Sequence, residues 1–194
     1  STLGALKVWI DEVSGRLNTE ERGEYLGPFD TGDLILILYK DGSYKMREMD
    51  LIQFKIAMNK AYKVVKYEED MVLGAIYYDG ERKYTLLKRF EIETSSLDQK
   101  FEYITDHRSS DLIEVVVKPG ALVEYQYKQK GETITETVDV DDFVDVKGWR
   151  SIGNKLCDNK VKVKSLAFKQ TETSAEGESS DEKYSPGDTL ELDL

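Results

Sequence analysis

The chain has 194 residues, 40% of them apolar and 34% charged, with a formal net charge of −11. That is enough material for one domain with a core of its own, or for a domain and a tail. No stretch approaches the ~20 apolar residues of a membrane helix. The single cysteine, Cys157, excludes an internal disulfide and suits a reducing, cytoplasmic compartment.

The start, Ser1-Thr2-Leu3-Gly4, has neither an initiator methionine nor a basic-then-apolar leader, and reads as a piece of a longer chain. Residues 3–10 alternate loosely around Trp9 and predict a strand. Residues 13–27 are polar, carry Gly15, Gly23 and Gly27, and predict a loop or a short helical turn closed by Pro28. A pattern then repeats. Asp33–Tyr39 is an apolar strand running into Asp41-Gly42 and a returning strand at Ser43–Met46. Asp70–Tyr77 runs into Asp79-Gly80 and Arg82–Tyr84, and Asp111–Val117 into Pro119-Gly120 and Leu122–Tyr125. Asp-Gly between apolar runs is a strong hairpin signal. The turn glycines 42, 80 and 120 are 38 and 40 residues apart. A period near ~40 with several strands per unit fits blades of a propeller-like fold.

Each predicted hairpin is followed by a strand anchored on phenylalanine, at Phe54, Phe90 and Phe143, and then by a further strand at Tyr62–Tyr67, Phe101–Ile104 and Val161–Phe168. The third unit is longer, and Lys128–Gly131 reads as an extended hairpin tip. The expectation is an all-β domain over residues 1–168, built from three to four four-stranded blades. Residues 169–194 form an acidic tail. From 171 onward it holds eight acids and one lysine; residues 171–188 read as a flexible linker, and the polar–apolar alternation at 189–194 predicts a final strand.

The charge is unevenly placed. From Lys147 to Lys169 there are seven basic residues (Lys147, Arg150, Lys155, Lys160, Lys162, Lys164 and Lys169) against one acid, Asp158, a local charge of +6. A sign reversal of this size is the electrostatic footprint of a polyanion site. Gly148 and Gly153 bracket Trp149-Arg150-Ser151-Ile152. Glycines permit positive φ and close approach of a foreign backbone. Ser151, Asn154 and exposed N–H groups supply neutral donors for phosphate oxygens. Lys160, Lys162 and Lys164 alternate with Val161 and Val163, placing three lysines on one strand face. The same lysines also suit the solvated face of an edge strand.

These residues carry a resemblance. Val140–Leu156, with Val146-Lys147-Gly148, Arg150, Gly153, Lys155 and Leu156, resembles the degenerate DNA-wrapping box in the C-terminal domain of type IIA topoisomerase A subunits. That is the gyrase A and topoisomerase IV A family, in the form typical of Bacteroidetes. Ser1–Asp11 with Arg16-Leu17-Asn18 resembles a family segment that follows such a box, and Gly80–Phe90, with Tyr84, Leu86, Lys88, Arg89 and Phe90, is similar to a family strand.

The resemblance implies a β-pinwheel with no catalytic centre of its own, nearer topoisomerase IV than gyrase. It implies duplex DNA held without base readout by Lys147, Gly148, Arg150, Gly153, Asn154, Lys155, Lys160, Lys162 and Lys164. For the parent enzyme it implies the rest of the A subunit, an ATPase B subunit, ATP and Mg, with the catalytic tyrosine outside this segment, at the nucleoid and away from membranes. The loops at 55–61 and 91–100 lack paired glycines and read as decayed copies of the box. The alternative, of another class, is a propeller-like scaffold whose lysines meet an acidic protein face.

Other signals are weak. Asp30-Thr31-Gly32 matches an aspartic-protease tripeptide, but no second copy exists to share the proton. Asp139, Asp141, Asp142 and Asp145 lack the Gly and Glu of a calcium loop. His107 is the only histidine, too few for a typical zinc site.

Overall fold

The computed structural model describes residues 4–170; the tail from 171, with the predicted strand at 189–194, lies outside them. The described chain is almost all strand: β1 Leu6–Asp11, β2 Arg16–Asn18, β3 Glu24–Phe29, β4 Leu34–Tyr39, β5 Ser43–Glu48, β6 Ala61–Lys66, β7 Val72–Asp79, β8 Tyr84–Glu91, β9 Phe101–Glu102, β10 Asp111–Val116, β11 Ala121–Gln129, β12 Glu132–Asp139, β13 Val146–Lys147, β14 Asn154–Cys157 and β15 Lys162–Phe168. One helical turn, α1, spans Val140–Phe143.

The strands form four sheets, β2-β1-β3, β6-β4-β5-β9, β10-β7-β8 with β13 and β14, and β12-β11-β15. Each is a blade with the same plan. A hairpin (β1–β2, β4–β5, β7–β8 or β11–β12) is completed by a later strand that pairs back onto its first member. Between the hairpin and that later strand, the chain of the last three blades makes an excursion to the preceding blade. After β5, Ile56 N–H donates to Gly15 O (2.7 Å) and Arg16 to Ile52 O (2.9 Å). After β8, β9 pairs with β5. After β12, β13 and β14 pair with β8. The fold is thus a β-pinwheel of four blades joined in series by exchanged segments.

Packing explains the sequence pattern. One buried cluster joins the first two blades through Val8, Ile10 and Phe29 against Ile35, Ile37 and Val64. A second joins Leu36, Leu38 and Tyr44 to Leu73, Ala75 and Phe90. A third joins Ile76, Leu87 and Val116 to Val123, Val138 and Val161. β4 contributes to two clusters, with Ile35 and Ile37 on one side and Leu36 and Leu38 on the other, all at 0% exposure. A strand covered on both faces reads as an unbroken apolar run. β12 and β15, in the last blade, are largely exposed.

Three expectations are corrected. The region 13–27 is not a loop; it contains β2 and the start of β3. Asp111–Val117 and Leu122–Tyr125 are not a hairpin: β10 pairs with β7 of the third blade, while β11 belongs to the fourth. The fourth hairpin turns instead at Lys130-Gly131, both at positive φ (51° and 81°), the signature of a two-residue turn between twisted strands. The three phenylalanines are not equivalent either. Phe90 is in a hairpin strand, Phe54 in an excursion and Phe143 in α1.

Candidate nucleic-acid interface

The basic turn is the excursion of the fourth blade. β7 occupies one edge of β8, and the other edge receives both β13 and β14. β13 runs parallel, with Val146 opposite Arg89 and Lys147 opposite Phe90; β14 returns antiparallel, with Asn154 opposite Leu87 and Lys155 opposite Leu86. Residues 148–153 are therefore a turn pinned at both ends along one strand edge. Lys88 is the β8 residue between the two pairings.

Side chains of β7 and β8 capture the turn from beneath. Lys88 Nζ donates to Trp149 O (2.6 Å) and to Tyr103 O (2.7 Å). Tyr77 Oη donates to Ile152 O (2.7 Å), and burial raises that hydroxyl's pKa. Arg89 donates to Asp141 O (3.2 Å) and Val144 O (3.1 Å) just upstream. Within the turn, Ser151 N–H donates to Gly148 O (3.0 Å). Trp149 packs edge-on against Phe101 and Tyr44, at centroid distances of 5.4 and 6.3 Å. It also carries the Arg150 guanidinium 4.8 Å from its own ring, within cation–π range.

At Gly153 φ is +99°, and a β-carbon would lie 2.6 Å from Leu87 O. Only glycine fits there. Gly148 differs: its φ is not positive, and a β-carbon would lie an ordinary 3.5 Å from Glu93 Oε1.

The result is an open recess of ≈ 430 Å³ lined by Lys88, Arg89, Asp145, Lys147, Arg150 and Asn154, among others. Lys147 and Arg150 are exposed, and neither is ion-paired with another described residue. Asp145 on the rim tempers the positive field.

The comparisons fit this architecture. Residues 16–167 match the family model described as "Topoisomerase C-terminal domain, Bacteroidota". The chain belongs to that family. A solved structure described as "Crystal structure of the C-terminal domain of DNA topoisomerase IV" shares the fold, with a TM-score of 0.53 at 13% identity over 76% of this chain. The chain spans about half (51%) of that structure. No match was found among curated protein sequences.

In this topoisomerase C-terminal domain the predicted site residues divide. Lys147, Arg150, Gly153 and Asn154 come together at the recess, and Gly148 lies in the same turn. Lys155 turns to Asp158 (2.7 Å), which raises its pKa, and sits 5.2 Å from the Tyr84 ring. Lys160 precedes β15 rather than joining it, pairs with Asp111 (2.8 Å) and lies 5.5 Å from the Tyr78 ring. Lys162 and Lys164 are exposed on β15, with Val163 half-buried between them and Val161 buried. They belong to the fourth blade's own sheet, opposite β11, and not to the recess. Cys157 is half-buried and its thiol pKa is raised by burial, which leaves it a packing residue.

Sequence reasoning missed two features. The first is Lys88, 1% exposed, its amine pulled down to about 7 by burial. The signal was present: Lys88 shares a strand face with Leu86 and Phe90, both buried. The second is a recess of ≈ 600 Å³ on the second blade, lined by Tyr39, Lys40, Asp41, Lys45, Lys60 and Lys100. There Lys100 pairs with Asp41 (2.8 Å), whereas Lys40, Lys45 and Lys60 are not ion-paired with other described residues.

Proposed function

We propose that this domain binds duplex DNA without reading its sequence, and bends it, within the A subunit of a type IIA topoisomerase acting in the cytoplasm. The observation that carries this is the pinned turn: its backbone carbonyls are held inward by Lys88 and Tyr77, while Lys147 and Arg150 stand exposed beside Asn154 with no ion-pair partner among the described residues. Such groups suit phosphates, which position a duplex and carry no base information. Lys162 and Lys164 extend the charge onto the fourth blade, and Lys40, Lys45 and Lys60 onto the second. Cations spread over several blades favour a duplex that curves to meet them, because each neutralised phosphate adds to binding. Chemistry, with its ATP, Mg and catalytic tyrosine, then belongs to the rest of the enzyme.

Charge reversal tests this. Arg150→Glu and Lys147→Glu should each weaken binding at low salt and leave the fold intact, since exposed positions usually shift stability within about ±0.5 kcal/mol. Lys130→Glu, at the β11–β12 hairpin tip and outside the recess, should matter less. Equal losses in all three would remove the turn as the site. Any unrelated duplex should compete; an acidic protein face would resist such competition.

A further inference from the structure

Lys88 is a buried amine with no carboxylate partner among the described residues. Both of its hydrogen bonds go to backbone carbonyls outside its hairpin, Tyr103 O at the end of the excursion that carries β9 and Trp149 O in the basic turn. The Gly153 backbone lies against it, since a β-carbon there would come within 2.9 Å of Lys88 Cβ. Leucine would continue the apolar face of Leu86 and Phe90 without the desolvation penalty of a buried amine. What leucine lacks is a donor for two carbonyls that the strand pairings of β8 leave unserved.

We infer that Lys88 is the positioning residue of the basic turn, fixing the backbone from which Lys147 and Arg150 project. Its consequence for DNA rests on the proposed function; its grip on the turn does not. The strut works in either protonation state. Burial places the amine near neutrality, and an uncharged amine still has two N–H groups for two carbonyls. Lys88 is therefore a constant fastening rather than a pH switch. It also ties the turn to the chain that crosses to the second blade, so the turn, the third blade and the second blade meet at one nitrogen.

The test uses a Trp9→Phe background, in which Trp149 is the only tryptophan of the two. Acrylamide quenching of Trp149, thermal unfolding and the salt dependence of duplex binding are compared for this parent, Lys88→Met and Lys147→Glu. Lys88→Met should at least double the quenching of Trp149 and make the slope of log K against log salt shallower by about 1.8, the share of two phosphates. Lys147→Glu should make it shallower by about 0.9 and leave quenching unchanged. Unchanged quenching in Lys88→Met overturns the inference whatever the DNA result. Loosened quenching with an unchanged slope overturns its functional half. A parent that binds no DNA defeats the proposed function alone, and quenching still decides the positioning. If Lys88→Met fails to fold, ¹⁵N spectra of the parent's lysine side chains decide: a ζ-amine protected from solvent exchange supports the strut, and its absence refutes it.

Discussion

The two glycines of the basic turn look interchangeable in the sequence, and the structure separates them. Gly153→Ala forces a β-carbon into a left-handed residue, which costs roughly 1–2 kcal/mol. It also presses that carbon to 2.6 Å from Leu87 O and 2.9 Å from Lys88 Cβ. Leu87 and Lys88 are central in a sheet and at 0% and 1% exposure, so they yield little, and overpacking adds typically 1–3 kcal/mol. The total is about 2–5 kcal/mol. At about 2–4 °C per kcal/mol for a chain of this size, the thermal midpoint should fall by roughly 4–20 °C. Gly148→Ala meets only the end of the Glu93 side chain at 3.5 Å with an ordinary φ, and should stay within about ±0.5 kcal/mol. Differential scanning calorimetry of the two variants beside the parent is the assay. Equal midpoints for both variants would mean that the turn is not pressed onto β8, and the geometry argued for the site would fail.

Two further outcomes follow from other groups. Lys88 has a folded pKa of about 7 against ~10.4 unfolded, so between those values the unfolded chain binds the extra proton. Stability should therefore rise with pH from about 7 towards 9, by up to about 1.4 kcal/mol per unit, in the parent but not in Lys88→Met; denaturant midpoints across that window check it, and parallel curves would contradict it. The acidic tail from 171 onward, carrying eight acids, should compete with DNA for the basic turn. Changing Glu172, Glu176, Glu178, Asp181 and Glu182 to their amides should tighten duplex binding at low salt, with the gain fading as salt screens the tail, and no gain would make the tail a plain linker.

The sequence revealed strands well and their partners less well. Asp41-Gly42 and Asp79-Gly80 marked true hairpins because a tight turn leaves a local chemical signature. Pro119-Gly120 looked the same, yet it joins β10 and β11 in different blades. Alternation tells which face of a strand is buried and says nothing about which neighbour lies beside it. The exchanged segments were hidden for the same reason: β13 is two residues long, and its partner β8 lies more than fifty residues earlier. At the candidate site, the charge reversal and paired glycines coincide with the turn between β13 and β14. The ion pairs that occupy Lys155 and Lys160 depend on folding, as does the burial of Lys88, where a lysine in a strand reads as solvent-facing unless its i±2 neighbours are weighed.

On the proposed function, the pinned turn and its neighbouring cations hold duplex phosphates without reading bases. The most direct measurement is the affinity of this domain for two duplexes of unrelated sequence across a salt series starting near ~50 mM, where such contacts are strong. Lys147, Arg150, Lys162 and Lys164 are exposed, and four contacts at about 0.9 each give a slope of log K against log salt near −4. The expected result is that slope, with equal affinities for the two duplexes. A slope near zero, a strong preference for one sequence, or no binding at the lowest salt would contradict it.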